Sequence, residues 1–239
     1  MLTNAAEVRK PIPQPLPQGK GGKTTLKMIK HVCFDLDGTL IDSRDTILES
    51  TKSALDKLNI GYNIPIDVFT NMIGKHFVDI FDALKIDVKD FEQFISIYKA
   101  LYFDFIDLSV LYPGVEKTLN YLTRKQIKVS LLTTKVQEQA EKIINHFNLR
   151  SSFDFLMGRR NGMAHKPSPE PLLHICKELK VEPAETIIVG DTELDIQCGK
   201  SAGSKTCGVL FGYRTKSQLE KEKPDFLISG LNELVKVLK

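Results

Sequence analysis

Short apolar runs that alternate with helical patterns constrain the fold of this chain more than any other feature. Six runs have the length and composition of buried strands. Amphipathic stretches with helical spacing, such as Glu170 to Leu179, fill most of the gaps between them. This alternation predicts an α/β domain with a largely parallel sheet. The predicted strands are His31 to Phe34, Lys128 to Thr133, Phe153 to Met157, Thr186 to Val189, Lys205 to Leu210 and Asp225 to Ile228.

The first predicted strand leads directly into two carboxylates, Asp35 and Asp37. Residues i and i+2 of an extended chain lie on one side, so both acids can face one reacting group. Carboxylates form covalent phosphoryl intermediates, so one attacking acid and one proton-handling acid suit phosphoryl transfer. Gly38 allows a tight turn beside the ligand. The alternative is a solvated strand end followed by a turn, where Asp and Gly are common.

Two further segments end in polar groups that can reach a phosphate. The strand ending at Thr133 and Thr134 offers hydroxyls, which donate hydrogen bonds without adding charge. In the run from His165 to Glu170, two prolines hold the chain extended and then start a helix, which fixes Lys166. Each pattern alone is also typical of ordinary strand ends or solvated lysines. In open α/β sheets, polar strand ends converge on one crevice.

The predicted strand Thr186 to Val189 runs straight into Gly190, Asp191 and, four residues later, Asp195. Buried carboxylates without partners are costly, so a cation is expected beside them. Mg²⁺ prefers oxygen ligands and keeps some waters, which suits one or two carboxylates together with a substrate phosphate. We therefore expect Mg²⁺ as the cofactor.

These four stretches, in this order, resemble the four motifs of the haloacid dehalogenase-like (HAD) hydrolase superfamily. Two later segments are similar to the tail of its phosphoglycolate phosphatase-like branch, and the resemblance covers nearly everything after Met28. The motif stretches are Phe34 to Leu40, the strand end at Thr133, the K-P-x-P run at Lys166 and the G-D-x-x-x-D run from Gly190 to Asp195; the tail segments are Gly208 to Arg214 and Pro224 to Ile228.

The resemblance implies a role for the residues that handle the phosphoryl group. Asp35 would be the nucleophile, and Asp37 would be the general acid and then the general base. Thr133 would orient the transferring oxygens, with Thr134 beside it as an alternative. Lys166 would neutralise the phosphate and the nucleophile. The residues expected to bind the substrate phosphate are Asp35, Gly38, Thr133, Thr134 and Lys166.

The resemblance also implies the metal ligands. Asp35 and Asp191 would bind Mg²⁺ through their carboxylates, and Asp37 would bind it through its backbone carbonyl. Asp195 would lie behind these groups and support them. Dehalogenases of the superfamily lack an acid at the position of Asp37, so its presence favours phosphate chemistry.

Between Ser43 and about Leu111 the strand signal vanishes, and apolar residues recur at helical steps. We expect a Rossmann-like three-layer core, residues 28–43 and 112–239, with an inserted all-helical cap at residues 44–111. A long helix is expected around the aromatic stripe from Phe91 to Phe105, with its rings in core packing. Lys75 and His76 are candidates for substrate specificity in the cap, although a solvated helix junction explains them equally well.

The expected function is Mg²⁺-dependent hydrolysis of a small phosphorylated metabolite through an aspartyl-phosphate intermediate. Phosphoglycolate is the first candidate substrate, and sugar phosphates, nucleoside monophosphates and pyrophosphate remain open. A phosphomutase of the β-phosphoglucomutase type is the nearest alternative, because it differs only in the acceptor of the phosphoryl group. A non-catalytic module that binds a phosphorylated ligand is the alternative from another class.

Charge and composition exclude several kinds of partner. The formal net charge is +3, but the first 27 residues contribute +4, so the remainder carries −1. A slightly acidic globule lacks the basic face that a nucleic-acid binder needs. No apolar run approaches the roughly 20 residues that span a bilayer. We therefore expect a cytoplasmic protein, a monomer or homodimer, that binds neither nucleic acid nor membranes.

Two features outside the motifs complete the sequence-based expectations. Residues 1–27 contain alternating prolines followed by glycines and show no apolar periodicity. This composition predicts a disordered tail, a leader or an added extension before Met28. The four cysteines show no C-x-x-C pairing, which argues against a zinc ribbon or a disulfide scaffold and predicts buried thiols.

Overall fold

The computed structural model describes residues 28–238, so the predicted tail, residues 1–27, lies outside the described residues. The described part forms these strands: β1 (His31–Phe34), β2 (Ile41–Asp42), β3 (Val110–Leu111), β4 (Lys128–Val136), β5 (Phe155–Arg159), β6 (Thr186–Gly190), β7 (Lys205–Val209) and β8 (Phe226–Ile228). Its α-helices are α1 (Arg44–Lys57), α2 (Ile66–Thr70), α3 (Phe77–Leu84), α4 (Phe91–Tyr102), α5 (Val115–Arg124), α6 (Gln137–His146), α7 (Glu170–Leu179), α8 (Glu193–Ala202), α9 (Lys216–Lys221) and α10 (Leu234–Val237).

Six strands form one parallel sheet in the order β5-β4-β1-β6-β7-β8. β1 lies in the middle, and its last residue, Phe34, is level with Leu131 of β4 and Val189 of β6. All six predicted strands are confirmed, although the ends of several differ by a few residues. Because the strands are parallel, the segments that follow them emerge at one edge of the sheet.

Helices cover both faces of this sheet and make the core a three-layer α/β structure. Side chains along β1 alternate between the two faces, as expected for a strand. Val32 and Phe34 pack in the cluster that includes residues of α5 and α6, whereas Cys33 packs in the cluster that includes residues of α7 and α8. The predicted Rossmann-like core is confirmed, and burial on both faces explains why its strands are almost wholly apolar.

Helices α1 to α4 lie between β2 and β3, and the antiparallel pairing of these two short strands closes the base of the segment. We call residues 44–111 the cap. α1 packs against α4. Phe94 and Tyr102 of α4 are fully buried, and Phe77 and Phe81 of α3 lie 5.2 and 4.9 Å from the Phe94 ring centroid. Much of the predicted aromatic stripe is therefore the packing interior of the cap.

The predicted long cap helix is shorter than its apolar pattern indicates. α4 ends at Tyr102, and a 3₁₀ helix follows at Ile106–Leu108. The hydroxyl of Thr46 in α1 donates a hydrogen bond of 3.0 Å to the backbone carbonyl of Phe105. The same carbonyl also accepts the backbone N–H of Leu108 at 3.0 Å, so the chain after α4 continues as a 3₁₀ turn that α1 contacts.

The cysteines and the helices agree with two expectations from composition. All four cysteines are buried, free thiols, and burial raises the pKa of Cys198 to about 12, which keeps that thiol protonated. Within residues 28–238, no helix combines the length and the apolar character needed to cross a membrane.

Candidate active site

Three buried carboxylates meet at the carboxyl edge of the sheet. Asp35 follows β1, and its backbone N–H donates to the Val189 carbonyl at 2.9 Å, which ties the end of β1 to β6. Asp191 follows β6, and Asp195 lies in the first turn of α8. One carboxylate oxygen from each of the three acids lies within 4.8 Å of the others. The structure thus brings Asp35, Asp191 and Asp195 together.

The turn after Asp37 packs against one of these acids. Gly38 has a φ of +82°, a left-handed conformation that favours glycine. A β-carbon at Gly38 would overlap with the carboxylate of Asp191. The oxygens of that carboxylate accept hydrogen bonds from the backbone N–H of Tyr213 at 2.8 Å and from the hydroxyl of Thr39 at 3.3 Å. The turn and its neighbours therefore fix the position of Asp191.

Lys166 lies between two of the three carboxylates. Its Nζ is 2.6 Å from Oδ1 of Asp35 and 2.6 Å from Oδ1 of Asp195. The other oxygen of Asp195 accepts from the backbone N–H of Thr192 at 3.1 Å and from its hydroxyl at 2.6 Å. Both oxygens of Asp195 are thus occupied by protein donors.

The balance of charge at this edge fits a divalent cation. Burial raises the pKa of Asp191 well above its usual range, and neighbouring Asp35 and Asp195 raise it further. Burial acts to lower the pKa of Lys166, but the neighbouring Asp195 and Asp35 raise it above its usual value. If all four carboxylates, including Asp37, were ionised, the two buried ammonium groups of Lys166 and Lys135 would leave two negative charges in excess, which a divalent cation would neutralise. Clustered oxygen donors with excess negative charge are the donor set that Mg²⁺ prefers.

Asp37 lies apart from the three clustered carboxylates. One of its oxygens accepts a short hydrogen bond from the hydroxyl of Ser43, and the other is 3.2 Å from Nζ of Lys135. Ser43 immediately precedes the cap, and its backbone N–H donates to the hydroxyl of Tyr213 at 2.9 Å. The side chain of Asp37 is therefore linked to the junction between the core and the cap.

Lys135 is a site residue that the motif-based prediction missed. Its side chain is only 9% exposed, pairs with Asp37 and lies over the ring of Tyr102 at 4.5 Å from the centroid. Burial acts to lower the pKa of Lys135, but Asp37, Tyr98 and Asp35 together raise it above its usual value, so the lysine stays charged. A signal was present in the sequence, because Lys135 ends the same run as Thr133 and Thr134.

The two candidate threonines occupy different positions. β4 continues past its predicted end to Val136, and its pairing with β5 shifts in register between Leu132 and Val136. Thr134 lines the cavity that contains Asp35 and Asp37. Thr133 is buried, and its hydroxyl oxygen accepts the backbone N–H of Lys135 at 3.2 Å.

A cavity of about 660 Å³ lies between the carboxyl edge of the sheet and the cap. The core lines it with Asp35, Asp37 and Lys166, and the cap lines it with the candidate residues Lys75 and His76. The sequence left open whether this segment faces the site or is a solvated helix junction, and the structure places Gly74, Lys75 and His76 at the cavity wall. Apolar cap residues that also line the cavity include Ile73, Phe77, Ile80, Phe91, Ile95 and Tyr98.

A family profile described as haloacid dehalogenase-like hydrolase matches residues 32–209, which include all four predicted motifs. The chain belongs to this family. Phosphoglycolate phosphatase of Aquifex aeolicus is 34% identical to it over 211 residues, which cover 88% of this chain and 97% of that protein. Pyrophosphatase PpaX of Bacillus cereus is 33% identical over 211 residues, 88% of this chain and 96% of that protein.

A solved haloacid dehalogenase-like structure shares the fold. The family protein from Streptococcus pneumoniae superposes with a TM-score of 0.80 at 22% identity, covering 88% of this chain and 99% of that one. The family assignment and the phosphoglycolate phosphatase-like branch predicted from the sequence are confirmed.

In this HAD-like chain, a buried arginine ties the tail segment of the core to the cap. Nε of Arg214 donates to Oε2 of Glu193 at 2.7 Å, and its Nη1 donates to the backbone carbonyl of Ile73 at 3.1 Å. Arg214 is only 3% exposed. Because Ile73 directly precedes the segment that carries Lys75 and His76, this contact helps to hold both residues at the cavity wall.

Proposed function

We propose that the chain is a cytoplasmic, Mg²⁺-dependent phosphatase that hydrolyses a small phosphorylated metabolite through an aspartyl-phosphate intermediate. The observation that carries the proposal is the buried contact between Lys166 and Asp35 beside Asp191. A carboxylate that attacks a phosphate must overcome the repulsion between two anions. Buried positive charge at the point of attack offsets that repulsion, and it acts strongly because bulk water is excluded.

In the first step, one carboxylate oxygen of Asp35 attacks phosphorus in line with the ester oxygen. The bond from phosphorus to the ester oxygen breaks as the bond to Asp35 forms. Asp37 gives its proton to the departing alkoxide, which leaves as an alcohol. Lys166 and the hydroxyl of Thr133, with Thr134 as the alternative, hold the transferring oxygens, and the turn at Gly38 brings its backbone close to them.

In the second step, water attacks phosphorus and breaks its bond to Asp35. Asp37 takes the proton of that water, inorganic phosphate leaves, and both acids return to their starting states. Ser43 and Lys135 hold Asp37 in the structure, so its acid and base roles depend on these contacts. Because Ser43 adjoins the cap, closure of the cap over a substrate and the position of Asp37 are coupled in this mechanism.

The residues present fit the expected Mg²⁺ ion. Asp35, Asp191 and the backbone carbonyl of Asp37 would hold it, with Asp195 fixed behind them by Lys166 and Thr192. Bound there, Mg²⁺ would supply positive charge to the phosphate oxygens. The two negative charges that the ionised groups would leave in excess support this assignment.

The substrate proposal rests on the relatives and on the cavity. The two relatives are named phosphoglycolate phosphatase and pyrophosphatase. The cavity lies between the proposed phosphate-binding residues and the cap, which suits a small metabolite better than a phosphorylated protein. Phosphoglycolate is the first candidate, followed by pyrophosphate.

The test is hydrolysis of p-nitrophenyl phosphate and phosphoglycolate by the purified full chain, with Mg²⁺ and with EDTA. Activity should require Mg²⁺, release inorganic phosphate and disappear in the Asp35→Asn variant. Asp82→Asn, at an exposed position of α3, is the matched control and should keep its activity. Undiminished turnover in EDTA, or substantial Mg²⁺-dependent turnover by Asp35→Asn, would contradict the proposal.

A further inference from the structure

Three side chains that the proposed reaction does not use meet at the wall of the cavity. His76 comes from the cap, just before α3, whereas Arg159 ends β5 and His165 directly precedes Lys166. Nη1 of Arg159 is 3.4 Å from Nδ1 of His76, and Nε2 of His76 is 3.1 Å from Nε2 of His165. All three residues line the cavity that contains Asp35.

The chemistry of the three groups fixes the direction of every hydrogen bond between them. A guanidinium can only donate, so Nδ1 of His76 accepts from Arg159. A neutral imidazole has one acceptor and one donor nitrogen, so Nε2 of His76 donates to Nε2 of His165. Nδ1 of His165 then carries its proton and donates to the backbone carbonyl of Lys166 at 2.9 Å. Burial, helped by His165 and Arg159, lowers the pKa of His76, in agreement with the neutral form.

This chain of hydrogen bonds leaves most of the donors of Arg159 without a partner. The guanidinium has five N–H donors and a permanent positive charge. Within residues 28–238, no carboxylate lies within 4.0 Å of Arg159, and its one hydrogen-bond contact is to an imidazole nitrogen. Its neighbour Arg160, by contrast, donates to the side chain of Gln137 and the carbonyl of Leu156 and does not line the cavity.

The surroundings of Arg159 favour an anion rather than another cation. Apart from the acids and lysines of the proposed phosphoryl-transfer site, the charged residues that line the cavity are Lys75, Lys99 and Arg159, against the single acid Asp79. A half-buried guanidinium in a positive wall binds planar, bidentate carboxylate or phosphate groups well. His165 adjoins Lys166 in the chain, so this anion-binding wall begins next to the site of phosphoryl transfer.

We propose that Arg159 binds a second negatively charged group on the leaving-group side of the substrate, and that His76 and His165 hold the guanidinium in place. This proposal rests on the proposed phosphatase function and narrows its substrate class to phosphate compounds with a second carboxylate or phosphate. His76 and His165 are positioning residues, because their N–H groups are used within the chain of hydrogen bonds. Since His76 belongs to the cap, this recognition also joins the cap to the core.

A series of leaving groups of similar size tests the charge requirement in the wild-type chain. Phosphoglycolate carries a carboxylate, 2-hydroxyethyl phosphate a neutral hydroxyl, and phosphoethanolamine an ammonium group. We expect kcat/KM to fall about tenfold at each step of this series, since each step removes or reverses one charge interaction. The kcat/KM for inorganic pyrophosphate, measured in parallel, shows whether a second phosphate or a carboxylate is the preferred group.

Substitution of Arg159 tests whether this residue binds the negative charge of the leaving group. Arg159→Gln should raise KM for phosphoglycolate about tenfold and bring its kcat/KM close to that of 2-hydroxyethyl phosphate, because the amide lacks the charge. Arg160→Gln is the matched control and should preserve the preference. His76→Phe should weaken the preference, and His76→Gln should restore part of it, because an amide can accept from Arg159 and donate to His165.

The outcomes separate failure of this inference from failure of the proposed function. Absence of hydrolysis of every substrate, p-nitrophenyl phosphate included, would overturn both. Hydrolysis with equal kcat/KM across the charge series would overturn the inference and leave the phosphatase assignment intact. A preference for phosphoglycolate that survives in folded Arg159→Gln, as judged by circular dichroism, would also overturn the assignment to Arg159.

Discussion

The carboxyl edge of the sheet and the cap-facing wall of the cavity balance their charges differently. At the sheet edge, buried acids and lysines contact one another directly, as Lys166 does between Asp35 and Asp195. At the wall, Arg159 contacts only an imidazole nitrogen within the described part of the chain. In the proposed mechanism, the first region supplies the charges that break a phosphate ester, and the second supplies a charge for the leaving group. Under this proposal, chemistry and selectivity belong to separate parts of one cavity.

The largest expected effect removes the buried charge at the sheet edge. Lys166→Gln should lower kcat about 1,000-fold, in the range found when a group that stabilises transition-state charge is lost. The measurement is steady-state hydrolysis of p-nitrophenyl phosphate at saturating Mg²⁺. Because Lys166 lies at the sheet edge and not at the cap-facing wall, kcat should fall by the same factor for every substrate, whatever the charge of its leaving group.

Because Lys166→Gln leaves two buried carboxylates without their ammonium partner, its fold needs a separate check. A cooperative thermal transition would show that the variant is folded. Lys89→Gln, at a side chain that is 85% exposed, is the control for loss of a lysine. A folded Lys166→Gln variant that keeps more than a tenth of the wild-type kcat would remove Lys166 from the proposed mechanism.

The next effect concerns the lysine that holds Asp37. Lys135→Met should lower kcat about 30-fold with a smaller change in KM, because Asp37 loses a charge-assisted partner in a partly buried site. The loss should be larger for phosphoglycolate, whose alkoxide leaving group needs a proton, than for p-nitrophenyl phosphate, whose leaving group is a stable anion. Lys135→Arg should restore part of kcat. An equal loss on both substrates would show that the contact with Asp37 has no part in proton transfer to the leaving group.

Residues in contiguous motifs at strand ends could be predicted from the sequence. Asp35, Asp191 and Lys166 each lie in a short pattern whose strand or proline context indicates where the side chain will lie. The order and parallel pairing of the strands then bring them together, as the alternation of strands and helices predicts. The six strands and the helical insertion follow from the same local patterns.

Residues whose partners are far away in the chain could not be predicted in this way. Arg159 and His76 are 83 positions apart, and Arg214 and Ile73 are 141 positions apart. Nothing in the sequence next to Arg159 indicates that a cap histidine will meet it. The same reason applies to the segment after α4, where Thr46 of α1 donates to the backbone carbonyl of Phe105, a contact that the apolar spacing does not reveal.

A smaller effect distinguishes the two threonines at the sheet edge. The hydroxyl oxygen of Thr133 accepts from Lys135, so its hydrogen is directed elsewhere and can donate to a phosphate oxygen. Thr133→Val should therefore lower kcat about tenfold, the value of one neutral hydrogen bond. Thr134→Val, at the cavity wall, should change kcat less than Thr133→Val does. Measured in parallel on p-nitrophenyl phosphate, the reverse order would transfer the phosphate-orienting role to Thr134.

The smallest effect concerns stability rather than catalysis, and it arises at the end of β1 opposite to Asp35. His31 is fully buried, with its ring nitrogens 2.8 Å from the hydroxyl of Ser130 and 3.1 Å from that of Thr186. Burial lowers its pKa from 6.5 to about 4, against a raising effect of Asp154. Below pH 6.5 the unfolded chain therefore binds a proton that the folded chain does not, so stability falls as the pH falls.

Between pH 8 and pH 5.5, this one histidine should reduce the free energy of unfolding by about 1.4 kcal/mol. Urea unfolding at both pH values measures the difference. His31→Gln should remove that part of the pH dependence, whatever its stability at pH 8. His146→Gln, at an exposed histidine, should retain it. If His31→Gln kept the full wild-type slope, the buried neutral imidazole would not be its source.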